Sequence, residues 1–515
     1  MKASGRKPGL AASLLARFEL LLTPLFGSLR NPFHHLGALV VYFFWIVLVS
    51  GIYLLIFYRT SLSGAWLSVE ELTRDQPFAG GVMRSLHRYA SDAALLVLGG
   101  HLLREFLRGR FRGPRWYSWF TGVPLLWIVI LLGITGYWMV WDQLAQFVAV
   151  GSAHLLDVLP VFSDPMVRSF LTNDSVSDRF FTLIAFIHLI GLPIVLVLGI
   201  WFHVLRIRIA RINPPRTLMA GSLIGLLILS LLVPAESHAP ADLAMVPAGL
   251  ALDWFYLGAY PLIDRFGEHA TWAGLSGLTL LLAALPWLWP GQRAPVAQVR
   301  LSDCTGCGYC ADDCPYGAID IVPRSDGRKY ESEARVSPDL CVGCGICTGS
   351  CPSSSPFRRQ EPLTTGIELP NLTMDSLKQA IRTDGSGTRP AVLLVGCDHG
   401  VPVSRFHGPG LTTLSLPCIG MLPPAAIDYA LRVGGFDGVM LGGCAAGDCH
   451  HRYGDRWTRD RIRRARPPLL RARVPRERIL MRRLKPTEHG RVFSQLKAFR
   501  HRLRHLIDPQ AGAGS

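Results

Sequence analysis

The chain has 515 residues, 50% of them hydrophobic and only 17% charged, which exceeds one ordinary soluble domain and marks part of it as membrane-embedded. The net charge of +16 is uneven: from Arg456 to the C-terminus 18 Lys or Arg stand against 4 Asp or Glu, a net +14, so the basicity belongs to a tail. All 12 cysteines lie between Cys304 and Cys449 in short-spaced groups, which excludes a disulfide framework and points to metal ligation in a reducing compartment.

The first apolar stretch, LLARFELLLTPLFG, is basic and apolar like a signal peptide but contains a glutamate and a proline and has no clean small-residue cleavage site. It reads as an amphipathic helix at a membrane interface. Six segments then reach or approach the length needed to cross a bilayer core of about 30 Å: roughly 36–58, 82–104, 121–141, 180–205, 217–235 and 270–290. The expected membrane domain is an all-α bundle of six transmembrane helices ending near residue 291. Arginine bias orients it. REFLRGRFRGPR after the second span carries five Arg, and RIRIARINPPR after the fourth carries four with no acid, so these loops face the cytoplasm. The loops 142–179 and 236–269 are richer in acid and suit the opposite side. Six spans return the chain to the cytoplasm with its cysteine-rich half, as a multi-pass component of a bacterial inner membrane.

The second span carries His87 and His101, 14 residues apart, and the fourth carries His188 and His203, 15 apart. Both spacings are close to four helical turns, so each helix shows two imidazoles on one face, roughly 21–23 Å apart. A lone membrane histidine commonly just hydrogen-bonds a neighbouring helix. Two matched pairs instead make two stacked ligand pairs, and neutral imidazole is an axial ligand of haem iron. Gly37 and Gly51 on the first span, and Gly122 and Gly136 on the third, repeat the 14-residue period. Missing side chains there would admit a porphyrin edge, although small residues also serve ordinary helix packing.

With RSLHR, HLLREF, the glycine pairs, GITGYWMVWDQ and HLIGLP in view, residues from about 15 to 210 resemble the di-haem cytochrome b family of quinol-oxidising complexes, especially its photosynthetic branch. That resemblance implies two b haems, one held by His87 and His188 on the outer side and one by His101 and His203 on the cytoplasmic side. It makes Arg84, Arg88 and Arg104 candidates for propionate contacts. ALDWFYLGAYPL at 251–262 is similar to the family's outer quinol-site segment, with Asp253 where a glutamate is usual. The photosynthetic branch attaches a further haem through a cysteine where this chain has His35, so no such thioether is expected. Asp142, Asp253 and the histidines at 34, 35 and 154 are candidate proton carriers at quinone sites, with a structural role equally open for each.

The second half opens with CTGCGYCADDCP at 304–315 and repeats it as CVGCGICTGSCP at 341–352. Each is C-x2-C-x2-C-x3-C-P, the signature of paired [4Fe–4S] clusters in which the fourth cysteine of each run ligates the other cluster. Cys304, Cys307, Cys310 and Cys351 are expected to bind one, and Cys341, Cys344, Cys347 and Cys314 the other; a structural zinc needs only one C-x2-C pair per half-site. This segment resembles bacterial two-cluster ferredoxins, an α+β fold.

Four cysteines remain, in AVLLVGCDHG, LSLPCIGM and VMLGGCAAGDCHHRYG. Three strand-like runs each end at a cysteine and a helical AAIDYALR lies between the last two, which reads as a small α/β unit with ligands gathered at the strand ends. Residues from about 390 to 480 look like the delta subunit of methyl-viologen-reducing hydrogenases. The resemblance implies one [2Fe–2S] cluster on Cys397, Cys418, Cys444 and Cys449, and a partner of the heterodisulfide-reductase type. His399 stands where that family has a second cysteine nearby, and structural or zinc-bound cysteines are the alternative.

The expected organisation is a di-haem domain at 1–215, two further membrane helices at 216–292, a ferredoxin-like domain at 293–360, a linker at 361–390, the delta-like domain at 391–480 and a basic tail at 481–515. The tail interleaves no nucleic-acid reading motif, so an acidic protein partner or anionic lipid headgroups are its expected contacts. The function expected is an integral membrane electron-transfer subunit, carrying electrons between a cytoplasmic flavoprotein, dehydrogenase or heterodisulfide-reductase-like complex and the quinone pool. A membrane anchor or redox sensor for such a complex, or for a hydrogenase or formate dehydrogenase, is the competing reading, and a homodimer stays open.

Overall fold

The structure, a computed structural model, describes residues 10–507 apart from 28, 160–176, 208–209, 211, 248, 291–294, 356, 358, 383–386, 446 and 487. Two compact units form, one from residues 35–205 and 210–291, the other from 1–34, 206–209 and 292–515. Part of the acidic loop 142–179 and part of the expected linker therefore lie outside the described residues. The first helix, α1 (Leu10–Leu21), belongs to the second unit. Its Leu14, Phe18 and Leu21 are exposed.

The first unit is all-helical. Its helices are α2 (Leu36–Phe57), α3 (Gly64–Asp75), α4 (Val82–Leu107), α5 (Trp116–Val140), α6 (Gln143–Asp157), α7 (Asp178–Val204), α8 (Arg216–Leu232), α9 (Tyr260–Phe266) and α10 (Glu268–Leu288). A helix stands at each of the six expected spans, but among the described residues only α2, α5, α7 and α10 are both long and apolar enough to cross a membrane. The difference has two causes. α8 has 17 residues, and α4 carries Arg84, Arg88, Asp92, Arg104 and Glu105 along its 26. Those charges are paired inside the bundle, with Arg84 on Glu70 and Arg88 on Asp92 and Asp253. α5 stops where Trp141, φ 52°, turns into the left-handed region, and Asp142 then caps α6 by accepting from the Ala145 N–H. α7 contains one wide π turn at Ile187–Gly191, a distortion common at functional sites, and His188 sits in it.

The second unit contains two copies of one small device. In CTGCGYC, Gly306 and Gly308 take φ values of 68° and 81°, and in CVGCGIC Gly343 and Gly345 take 64° and 73°. These left-handed turns, open to glycine at little cost, bend the chain so that the cysteines converge. Short helices α11 (Tyr309–Asp313) and α12 (Ile346–Ser350) follow. Strand β1 (Gln298–Val299) precedes the first copy, and the antiparallel hairpin β2 (Ile319–Pro323) and β3 (Ser332–Val336) joins the two. The stretch 361–390 is not a linker. Within it β4 (Ile367–Glu368) pairs antiparallel with β1, α13 (Met374–Ala380) follows, and Leu363, Leu369, Leu377 and Ile381 are all buried in the common core. RTDGSGTRP at 382–390 suggested a linker, but the apolar residues around it carry the packing.

A four-stranded parallel sheet completes this unit: β5 (Val392–Cys397), β6 (Leu411–Leu416), β7 (Gly438–Gly443) and β8 (Ile479–Arg483), in the order β6-β5-β7-β8. The central strands β5 and β7 are buried throughout, as expected for a parallel sheet covered on both faces. α14 (Pro424–Arg432) and α15 (Gly454–Ile462) pack beside it. The expected basic tail is part of this fold. β8 pairs with β7, and α16 (His489–Ile507) places Val492, Leu496, Phe499 and Leu503 in a core with Val392, Leu394 and Met440. Those four apolar residues recur at helical spacing, so the basic stretch supplies an amphipathic helix rather than a free arm.

Candidate functional site

In the helical unit the four histidines meet as two pairs. The His87 and His188 rings have centroids 6.4 Å apart. Two imidazoles bound trans to one metal at about 2.0 Å per bond would hold their centroids about 6.3 Å apart, so the pair fits a shared iron. His101 and His203 are near enough to interact electrostatically. A hydrogen-bond partner orients three of the rings through Nδ1: Ser50 Oγ (3.1 Å) and the Val47 carbonyl (3.0 Å) on His87, Thr135 Oγ1 (3.0 Å) on His188, and Thr121 Oγ1 (3.3 Å) on His203. Fixing one imidazole nitrogen in this way presents the other to a metal.

The glycines explain themselves at the same place. A Cβ on Gly51 would lie 2.9 Å from His87, on Gly136 3.1 Å from His188, on Gly122 3.2 Å from His203 and on Gly37 3.3 Å from His101. Each glycine thus faces one histidine. In Ser50-Gly51, Thr121-Gly122 and Thr135-Gly136 the residue before the glycine supplies the hydroxyl, a dipeptide signal legible in the sequence and missed there.

A cavity of about 460 Å³ opens beside the first pair, lined by His87, His188, Gly51, Gly136, Arg84, Arg88, Asp142 and Glu236 among others. Arg84 also donates to Thr73 and Ser237, and Arg104 lies 3.4 Å from Glu105. The two candidate quinone-site carboxylates both have hydrogen-bond partners. Asp142 accepts from the backbone N–H groups of Ala145 and His238, one on each oxygen. Asp253, which does not line the cavity, accepts from Arg88, the Tyr137 hydroxyl and the Tyr256 N–H. His154 Nδ1 stands 4.0 Å from Glu268. Glu236, in the cavity wall, carried no signal in the sequence.

In the second unit the cysteines sort as the spacing predicts. Cys304, Cys307, Cys310 and Cys351 line one small cavity, and Cys314, Cys341, Cys344 and Cys347 line another. The crossing of Cys314 and Cys351 between repeats is therefore built into the chain path. Burial, with neighbouring thiols adding to it, pushes the Cys310 thiol up to about 12, and burial pushes Cys344 up to about 12. Such thiols ionise only when a cationic metal core replaces their protons, so the donor set fits an iron–sulfur group.

The remaining quartet lies at the carboxyl ends of β5 and β7, where the strand order reverses and an open parallel sheet leaves a crevice for ligands. Cys397 Sγ and Cys444 Sγ are 3.5 Å apart. Cys418 adjoins Cys397, and Cys449 adjoins Cys444. Cys418 shares one apolar cluster with Cys344 and Ile346, so this quartet abuts the second ferredoxin-type site. Buried Arg461 closes that junction, bonding the Asp313 carboxylate, Ser350 Oγ and the Gly420 carbonyl. Nothing local in the sequence marked Arg461 among so many arginines.

Three family models match the chain in order: Cytochrome b/b6/petB over residues 25–210, a 4Fe-4S dicluster domain over 303–355 and the delta subunit of methyl-viologen-reducing hydrogenase over 391–506. Cytochrome b6 of Synechococcus sp. (strain CC9605) and of Prochlorococcus marinus (strain NATL1A) are each 31% identical over 185 residues, covering 36% of this chain and 84% of those proteins. A solved hyperthermophilic respiratory Complex III chain aligns over 53% of this chain and 81% of its own length, with 20% identity and a TM-score of 0.41.

Proposed function

Because the chain belongs, through residues 25–210, to the cytochrome b/b6 family, we propose that this multi-pass membrane redox protein is the quinone-reactive subunit of an oxidoreductase complex. It would link a cytoplasmic iron–sulfur or flavin partner to the quinone pool. The observation that carries the reading is the clustering of ligands. One polypeptide carries two histidine pairs, each ring faced by a glycine, and three cysteine quartets. Haem iron and iron–sulfur clusters take up and release single electrons, which is the chemistry these groups supply when bound.

His87 with His188, and His101 with His203, would hold two b haems. Arg84 and Arg88 in the cavity wall, and Arg104 at the other end of α4, are the propionate candidates. The crossed quartets would hold two [4Fe–4S] clusters. The third quartet fits a [2Fe–2S] cluster better than zinc. Four thiolates on one zinc, at about 2.3 Å each, would all lie about 3.8 Å apart, whereas among the described residues no three of these sulfurs fall within 4.8 Å of one another. Arginine-rich loops support a cytoplasmic position for the cysteine-bearing unit, and the delta-like match supports a soluble redox partner there.

Full-length protein, purified anaerobically in mild detergent, is expected to hold two extractable b haems and about ten non-haem irons per chain, with haem reduction by a short-chain quinol. Haem that stays on the polypeptide in acid acetone, zinc in place of iron, or haems that no quinol reduces would overturn the corresponding part of the reading.

A further inference from the structure

Beside the third cysteine quartet the fold gathers three histidines that the ligand sets above do not use. His399 lies in the turn after β5, two residues beyond Cys397, and His450 and His451 follow Cys449 directly in the loop before α15. One ring nitrogen of each lies within 4.8 Å of those of the other two. The His399 and His450 rings stack with centroids 3.5 Å apart and planes 10° apart, and His451 meets them edge-on at 5.2 and 4.8 Å. Histidines drawn from two loops about 50 residues apart in sequence meet here because the strand order places the ends of β5 and β7 side by side.

We propose that His399, His450 and His451 form a second metal site, distinct from the cysteine quartet, for a divalent cation of the zinc type. Imidazole suits such cations, and three protein nitrogens with water in the fourth position is an established coordination for them. The geometry is prepared on one side. His451 is 7% exposed, and its Nδ1 stands 3.1 Å from the Tyr316 hydroxyl, a partner that fixes the ring as metal-ligating imidazoles are fixed. His399 is exposed and His450 half-buried, so a cation can enter from solvent. Tetrahedral coordination needs donor nitrogens about 3.4 Å apart. The closure this requires, under about 1.5 Å, is within reach of rotation of the two less buried rings.

The backbone N–H groups of His399 and His450 donate to Cys397 and Cys444, so the cation would sit one residue from the quartet. On the reading that the quartet holds an iron–sulfur cluster, a dication there favours the reduced cluster and raises its midpoint potential. By reciprocity, reduction tightens cation binding.

The test uses untagged full-length protein, anaerobic and fully iron-loaded. All samples carry His501→Ala, because the His501 and His505 rings, 4.7 Å apart on α16, would also chelate zinc. Equilibrium dialysis with zinc chloride should load one zinc per chain, with an X-ray absorption spectrum of imidazole nitrogen at about 2.0–2.1 Å and no sulfur. Adding His399→Ala and His450→Ala should weaken binding at least about tenfold while all three cluster signals persist. His399→Ala alone, at an exposed position, serves if the double variant folds poorly. Equal zinc in the variants, or none in the intact protein with full iron, overturns the second site alone. A sulfur shell at about 2.3 Å overturns the site and the iron reading of the quartet together. Loss of the third cluster on removing His399 would make that histidine a servant of the cluster and also refute the proposal.

Discussion

A side chain at position 51 is expected to displace one haem and leave the other. The Gly51 Cα approaches His87 so closely that an added Cβ would lie 2.9 Å from Cε1 and 3.3 Å from Nδ1. Ordinary carbon contacts run at about 3.5–4.0 Å, so the ring must retreat by roughly 0.6–1 Å. It cannot do so freely, because its Nδ1 is tied to the Val47 carbonyl at 3.0 Å and to Ser50 Oγ at 3.1 Å, both on the same helix as Gly51. Overpacking of this kind costs about 1–3 kcal/mol, which corresponds to a loss of haem affinity of about five- to 150-fold for alanine. Valine, with two further methyls, should prevent binding. The assay is haem b per chain by pyridine haemochrome, joined to a redox titration of the α-band. Gly51→Val should leave one haem and one transition, with cluster iron unchanged as the control for folding. Gly37→Ala, where the contact with His101 is 3.3 Å, should keep both haems. Two haems at unaltered potentials in Gly51→Val would refute the assignment of His87 as an axial ligand.

Removing the Thr135 hydroxyl, 3.0 Å from His188 Nδ1, as in Thr135→Val, should raise the midpoint of the same haem without lowering its content, because a ligand imidazole that loses a hydrogen-bond acceptor becomes less basic; an unchanged potential would count against it. Arg461→Met leaves the 2%-exposed Asp313 with Arg466 as its remaining ion-pair partner, beside the Ser350 hydroxyl that donates to it, and should cost up to about 3–5 kcal/mol, read as a lower thermal midpoint of cluster bleaching; Asp313→Asn added to it should recover part of the loss. Ending the chain after residue 488 strips α16 from the sheet face formed by Val392, Leu394 and Met440, so insolubility or loss of the third cluster is expected, and a soluble, fully loaded product would restore the reading of a docking tail separate from the domain. Protein stripped of iron should lose stability as pH rises from about 9 towards 12, since the Cys310 and Cys344 thiols, held up to about 12 in the fold, bind protons that the unfolded chain has released; iron-loaded protein should show no such slope over that range.

Much of the site was legible because it depends on short-range geometry. The C-x2-C-x2-C runs are closed by left-handed glycines inside a single turn, and the 14- and 15-residue histidine spacings follow from one helical period, so both survive whatever the rest of the chain does. Even the crossing of Cys314 and Cys351 follows from the short hairpin joining two like halves. Residue type, by contrast, did not say which groups are already engaged. Asp142 and Asp253 have the chemistry of proton carriers, yet one caps a helix and the other holds Arg88 and Tyr137. The arginine count from residue 456 onward suggested a basic tail that docks a partner, although Val492, Leu496, Phe499 and Leu503 recur among the charges at the spacing of a buried face. Charge is a sum over residues, whereas burial depends on which of them share a side. The meeting of His399 with His450 and His451, and of Arg461 with Asp313, was decided only in three dimensions. Contacts between residues 50 or more positions apart depend on strand order and on which surfaces exclude water together, and neither is written in any local run of sequence.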